Sequence, residues 1–258
     1  MTLKIFITGA SGGLGAEFAR VYDAPGNVIA ITARRREELE AVARTLKGEA
    51  VIYPLDVTDH AALKSAAADF IARFGAPDVV IANAGISAGT LTEFEEDLPS
   101  FDRIFKVNVV GLFATFTPFV QAMHARGGGK LVGIASVAGI RGLPGSGGYC
   151  ASKAAAISYL EALRGEMKAF NIEVVTVLPG YIRTPLTEKN PYMMPFIMEP
   201  DEAARRIRRV IDRGASYAVV PWQMGLVAKL LRLLPNWLFD AVLAGKARKP
   251  RAVEGQKT

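Results

Sequence analysis

The chain is 258 residues long, half of them hydrophobic, with one cysteine and a net charge of +6. That length suits a single α/β domain with a large core. The lone Cys150 excludes an internal disulfide and fits a reducing compartment, and His60 and His124 are too few and too scattered to suggest a metal site. The positive charge is a C-terminal property, because residues 201–258 carry 12 Lys and Arg against 5 Asp and Glu. No groove-lining pattern of basic and aromatic residues points to nucleic acid.

Taken in chain order, apolar runs at residues 3–7, 27–32, 50–54, 78–82, 130–135, 172–178 and 216–220 predict strands. Amphipathic segments near 14–22, 36–47, 59–74, 99–125, 147–170 and 200–213 predict the helices between them. Near-continuous Val/Ile/Leu runs alternating with helices predict a Rossmann-type doubly wound parallel sheet of about seven strands, with helices on both faces. The chain enters its first strand almost at once, which leaves no room for a signal peptide and predicts a cytoplasmic protein.

Two signatures carry chemistry. The first is Thr8-Gly9-Ala10-Ser11-Gly12-Gly13-Leu14-Gly15, between the first strand and the first helix, the context of a dinucleotide-binding turn. Gly9 would permit the tight turn, Gly13 the approach of a pyrophosphate, and Gly15 close packing of helix on strand. The helix N-terminus would offer its unpaired N–H groups to the phosphates. The second is Tyr149 and Lys153, four residues apart on an alanine-rich helix and so on one face. A neighbouring cation and the positive end of the helix dipole both favour the phenolate, so the pair reads as a tuned acid/base.

The polar residues share one placement. Arg34 follows the second strand, Asp56 the third, Asn83 the fourth, Ser136 the fifth and Pro179-Gly180 the sixth. All fall at the carboxyl ends of strands, the rim where open α/β sheets bind ligands.

These residues resemble the classical short-chain dehydrogenase/reductase family over roughly residues 1–220. The resemblance adds Asn83-Ala84-Gly85, Asn108, Ser136 and Pro179-Gly180 in family order. It implies hydride transfer between a nicotinamide and a carbonyl or alcohol carbon. Tyr149 would donate a proton to the developing alkoxide, Lys153 would lower the Tyr149 pKa and bind the ribose, and Ser136 would orient the substrate oxygen. Asn108 would hold a water linking Lys153 to solvent. It also implies cofactor contacts from Gly9, Ser11, Gly12, Gly13, Leu14, Gly15, the pair Asp56-Val57, Asn83, Ala84, Gly85, Tyr149, Lys153, Pro179, Gly180, Ile182 and Thr184. Asp56 could instead cap the following helix, with Thr58 and Asp59 as rivals.

Cofactor choice turns on Ala33-Arg34 at the end of the second strand. A carboxylate there would bind the NAD ribose hydroxyls, whereas a guanidinium pairs with a 2′-phosphate, so NADP(H) is expected over NAD(H).

Three segments are expected. Residues 1–221 form the catalytic domain, with a Pro- and Met-rich substrate lid near 185–200 that suggests a lipophilic ketone, aldehyde, 3-oxoacyl or steroid-like substrate. Residues 222–244 form an amphipathic helical extension broken near Leu234-Pro235, which could contact a membrane peripherally, cover the cleft or join an oligomer. Residues 245–258 read as a disordered basic tail. A homodimer or homotetramer is implied by the resemblance. The rival classes are a catalytically silent NADP-binding regulator and a membrane-associated interaction protein on the same fold.

Overall fold

A computed structural model describes residues 2–188 and 190–251. Seven strands form one all-parallel sheet in the order β3-β2-β1-β4-β5-β6-β7. They are β1 (Lys4–Thr8), β2 (Val28–Ala33), β3 (Glu49–Pro54), β4 (Val79–Ala82), β5 (Gly129–Ile134), β6 (Ile172–Pro179) and β7 (Tyr217–Val220). The order reverses between β1 and β4, and a crevice opens there at the carboxyl ends.

Period-two alternation splits the core into two layers. Ile5 and Ile7 point to one face, where they join Phe18 of α1 (Gly13–Tyr22), Leu39 of α2 (Arg36–Ala43) and an apolar stripe of α9 (Pro200–Asp212). Phe6 points to the other, packing against Phe70 of α3 (His60–Phe74) and against Phe119, with ring centroids 5.8 and 4.8 Å away. The helices in between are α4 (Leu98–Phe105), α5 (Gly111–Phe116), α6 (Val120–Arg126), α7 (Gly147–Glu166) and the single turn α8 (Pro185–Glu188). The helical run Glu95–Arg126 has the length and composition of a membrane span. Here, however, its Val107, Leu112 and Phe116 lie in the second core layer.

Helix α3 starts at Asp59, whose side chain accepts from the Ala62 N–H at 2.9 Å. Asp56, the rival cap, instead accepts from the Thr58 N–H and hydroxyl at 3.0 and 2.9 Å.

The C-terminal extension is two helices, α10 (Trp222–Leu233) and α11 (Asn236–Leu243). One face buries Met224, Ala228 and Phe239 against the domain. Arg141 ties down the junction, donating to the carbonyls of Leu231 and Leu234 (the latter at 2.7 Å) and stacking 3.8 Å over Phe239. A guanidinium at a helix C-terminus meets carbonyls that the helix leaves unpaired.

Residues 245–251 depart from the expected disordered tail. They run back along the domain, where Gly89 N–H donates to the Pro250 carbonyl at 2.9 Å and Arg251 bonds Asp97 at 2.9 Å. A buried carboxylate needs a paired cation, and Arg251 supplies it. The remainder of the predicted tail, 252–258, lies outside the described residues.

Candidate active site

The crevice is a cleft of about 710 Å³. Its floor is the glycine turn between β1 and α1. Gly9 has φ +69°, and a side chain there would sit 2.7 Å from the Ala84 Cα. A side chain at Gly15 would lie 2.2 Å from the Gly9 carbonyl oxygen, so α1 can pack this tightly on the turn only with glycine. Beside Gly12 there is open space, no side chain caps α1, and its first turn carries no acidic residue. The N–H groups at that end face the cleft, which is what a pyrophosphate needs. The residues present therefore fit a dinucleotide. Ser11 and Gly13 line the same floor, and Leu14 turns into the core.

Asn83 locks this floor to β4. Its amide donates to the carbonyls of Thr8 and Gly9 at 3.0 and 3.1 Å, while the Thr8 hydroxyl accepts from the N–H groups of Asn83 and Ala84, both at 3.2 Å. The Thr8 hydroxyl's part in this lock had no signal in the motif reading, which assigned the turn to its glycines. Across the cleft, Thr184 reaches to within 3.1 Å of where a Gly13 side chain would begin. Ile182, two residues earlier, is buried and bridged to Met198, and Gly180 packs under Met224 of α10. Pro179 ends β6 beside Val220.

Arg34 lies exposed at the carboxyl end of β2 next to Ala33. Its neighbours are committed, Arg35 to Glu38 and Arg36 to Glu40, whereas no carboxylate among the described residues lies within 4 Å of Arg34. Burial works to raise the Asp56 pKa. The Thr58 hydrogen bonds, with Arg34 and Arg103 nearby, outweigh it and hold the carboxyl below its usual range. Val57 is buried against Gly111.

Three elements bring the reacting groups together. Ser136 follows β5 and accepts from the Ala138 N–H at 3.2 Å, which fixes its hydroxyl at the strand end. Tyr149 and Lys153 come from the first two turns of α7. Asn108 comes from a π-helical turn, Lys106–Val110, inserted between α4 and α5. Such turns concentrate at functional sites because the extra residue redirects a side chain. The Asn108 amide accepts from the Ile86 N–H at 2.9 Å and donates to the Ile86 carbonyl and the Ser152 hydroxyl, both at 3.0 Å. Ser152, a further member of the network, in turn donates to the Tyr149 carbonyl at 2.7 Å.

Electrostatics here differ from the sequence expectation. Burial pushes the Tyr149 phenol up to about 12, and a hydrogen bond with Ser136 only partly offsets it. Lys153 does not lower it in the free protein. Its ammonium donates to the Ile134 carbonyl at 2.8 Å and lies 5.9 Å from the Tyr149 ring centre. Burial also pushes Lys153 down to about 8. The helical spacing brought the pair together, but desolvation outweighs the cation.

The other end of the cleft is largely apolar, lined by Leu143, Pro144, Tyr192, Met193, Met224 and Leu231. It also holds Lys249, which no motif foretold.

Comparison with known proteins agrees with this geometry. The family model described as short chain dehydrogenase matches residues 4–194. An uncharacterized oxidoreductase of Myxococcus xanthus is 34% identical over 238 residues, covering 91% of this chain and 94% of its own. A short-chain dehydrogenase structure from Streptomyces avermitilis superposes with a TM-score of 0.78 at 28% identity, covering 95% of each chain. An alcohol dehydrogenase from the archaeon Thermococcus sibiricus, solved with 5-hydroxy-NADP, gives 0.75 at 27% identity, covering 85% of this chain and 96% of its own. The chain belongs to the short-chain dehydrogenase/reductase family and is an NAD(P)-dependent oxidoreductase acting on CH–OH or C=O groups.

Proposed function

We propose that the protein is an NADPH-dependent carbonyl reductase for lipophilic substrates (ketones, aldehydes, 3-oxoacyl or steroid-like compounds), reversible as an alcohol dehydrogenase. The observation that carries this is the meeting of Ser136, Tyr149 and Lys153 on the rim that the glycine turn also faces, with Asn108 buried behind them. The bound nicotinamide supplies the hydride. The Ser136 hydroxyl hydrogen-bonds the substrate oxygen and sets its position. A phenol with a pKa near 12 stays protonated throughout the working range, so Tyr149 enters each reduction as the acid and delivers its proton to the forming alkoxide. Lys153 would then favour the phenolate and hold the ribose of a bound cofactor. A side chain at Gly85 would lie 3.4 Å from Asn108 Oδ1 and 3.5 Å from Lys153 Nζ. Its absence leaves a small space between two polar atoms, suited to the water that returns a proton to Tyr149.

NADP(H) is favoured over NAD(H) because Arg34, beside Ala33, has no carboxylate within 4 Å among the described residues and is open to a 2′-phosphate. The Thermococcus sibiricus relative was solved with an NADP derivative. The lipophilic substrate follows from the Leu, Met and Pro lining. The test is a panel of apolar and small polar carbonyls followed by loss of NADPH absorbance, with Tyr149→Phe as control. Turnover of apolar carbonyls, lost by orders of magnitude in Tyr149→Phe while NADPH still binds, is expected. NADPH binding with no turnover of any carbonyl would favour the silent regulator.

Two surfaces suit assembly. Leu98, Val110 and Phe113 are exposed along the α4–α5 run, an apolar face fit for a second copy in a homodimer or homotetramer. On α10 and α11, Trp222, Leu226, Leu230, Leu233 and Trp237 are exposed at helical spacing beside Lys229 and Arg232. That pattern suits peripheral contact of a cytoplasmic enzyme with an anionic membrane surface. Liposome co-sedimentation with and without residues 222–258 decides it.

A further inference from the structure

The segment 245–251 is seated on the cleft by features of the domain that fit it closely. A side chain at Gly89 would lie 2.2 Å from the Lys249 carbonyl oxygen and 2.7 Å from that of Pro250. Gly145, at φ +78°, would place one 2.8 Å from the Arg248 Cβ. Both glycines make room for this strand of chain. Asp97, 3% exposed, anchors its end by accepting from Arg251 Nε at 2.9 and 3.1 Å, and the guanidinium lies 3.7 Å over the Phe94 ring. Glycines cut to fit and a buried ion pair describe a fixed wall.

The wall delivers one side chain into the cleft. Lys249 Nζ lies 5.8 Å from the Tyr149 ring centre, at nearly the distance of Lys153. It donates to the Ser87 hydroxyl at 2.8 Å and the Leu186 carbonyl at 3.3 Å, which leaves one of its three protons unassigned. No carboxylate among the described residues lies within 4 Å of it, and it stands among apolar lining residues. Burial pushes its pKa down to about 8, the mark of a cation with no anion beside it.

We infer that Lys249 is the anion-binding residue of the substrate site, and that the substrate is an amphiphilic acid whose carboxylate lies within a few bonds of the reacting carbonyl. The inference rests on the proposed carbonyl reductase reading and narrows its substrate class. The ammonium and the phenol line one cleft with 5.8 Å between Nζ and the ring centre, so an anion on Lys249 would sit near the carbon whose oxygen meets Tyr149. The apolar body of the substrate then runs toward Leu143, Met193 and Met224. Because the cation is half-buried, its pairing with a carboxylate is less screened than a surface contact.

The test is binding, which needs no turnover. Decanoate and decanamide, matched in length and differing in charge, are titrated calorimetrically at pH 7 into the wild-type protein and into Lys249→Met, Lys249→Arg and Gly89→Val. Wild type and Lys249→Arg are expected to bind decanoate at least about tenfold tighter than decanamide, a charge-assisted hydrogen bond's worth. Lys249→Met should bind the two alike, and Gly89→Val, which unseats the segment by pushing on the Lys249 and Pro250 backbone while keeping the ammonium, should do the same. Equal binding of both ligands by wild type, or a decanoate preference that survives Lys249→Met, overturns the inference. Failure to reduce any carbonyl would instead overturn the reaction class, and this titration would not register it.

Discussion

Replacing Lys153 with methionine should make the free protein more stable at neutral pH while abolishing catalysis. Lys153 is 5% exposed, and burial takes its pKa from 10.5 to about 8. Below pH 8 the ammonium is charged in both folded and unfolded chains, and the folded state carries the full penalty, about 3 kcal/mol. Between pH 8 and 10.5 the folded chain gives up its proton while the unfolded chain keeps it, so wild-type stability rises with pH across this window. Lys153→Met removes the charge and also its hydrogen bond to the Ile134 carbonyl, a loss of about 1.5 kcal/mol. The variant is therefore expected to lead by about 1–2 kcal/mol at pH 7. The lead should shrink by about 2.5 kcal/mol on going to pH 10, turning into a small deficit. Urea unfolding of both proteins at pH 7, 8, 9 and 10 without cofactor measures it, and contributions from Lys249 and other groups common to both cancel in the difference. Parallel stability curves for the two proteins would refute the reasoning, since they would mean Lys153 titrates as if exposed.

Three further outcomes are expected. Arg34→Ala should weaken NADPH binding by roughly 10–100-fold, the value of a charged hydrogen bond pair, and leave NADH binding unchanged, as read by nucleotide fluorescence titration. Equal losses for both nucleotides would remove the 2′-phosphate role. Asn108→Ala strips the Ile86 N–H and carbonyl of their partner and should cost about 2–3 kcal/mol in thermal unfolding as well as turnover. An unchanged melting temperature would show that the π-helical turn does not depend on that amide. Asp59→Ala should cost about 1 kcal/mol with turnover intact, because it removes the N-cap of α3 and lies off the cleft rim.

The number and parallel direction of the strands were legible because each is a short Val/Ile/Leu run bounded by turns and separated from the next by a helix. Their rim residues were legible because strand ends define where ligands sit. The π-helical turn at Asn108 was not, since one extra residue leaves the apolar pattern of 98–116 reading as an ordinary helix. The raised phenol pKa was not legible either. Spacing shows that Tyr149 and Lys153 are neighbours, but the direction of the shift depends on how much water the rest of the fold excludes. Lys249 and Arg251 looked like members of a basic tail because their partners, Ser87 and Asp97, are more than 150 residues away. Gly89 and Gly145 were the available signal: loop glycines that no turn of the dinucleotide site explained.

The boundary between matched and unmatched sequence runs through the cleft. The family model ends at residue 194, and within it lie Ser136, Tyr149, Lys153 and the glycine turn. Outside it lie Met224, Ala228, Leu231, Val242 and Lys249, which line the apolar end of the cleft together with Leu143, Pro144, Tyr192 and Met193 from within it. The two parts are joined by contacts that hold position without entering the reaction: Arg141 to the end of α10, and Arg251 to Asp97. On the proposed reading, a scaffold fixed for hydride and proton transfer would change its substrate by changing the chain that returns over it. The shape and charge of the substrate should then follow the C-terminal 40 residues or so, while the nucleotide and the proton chemistry follow the rim of the sheet.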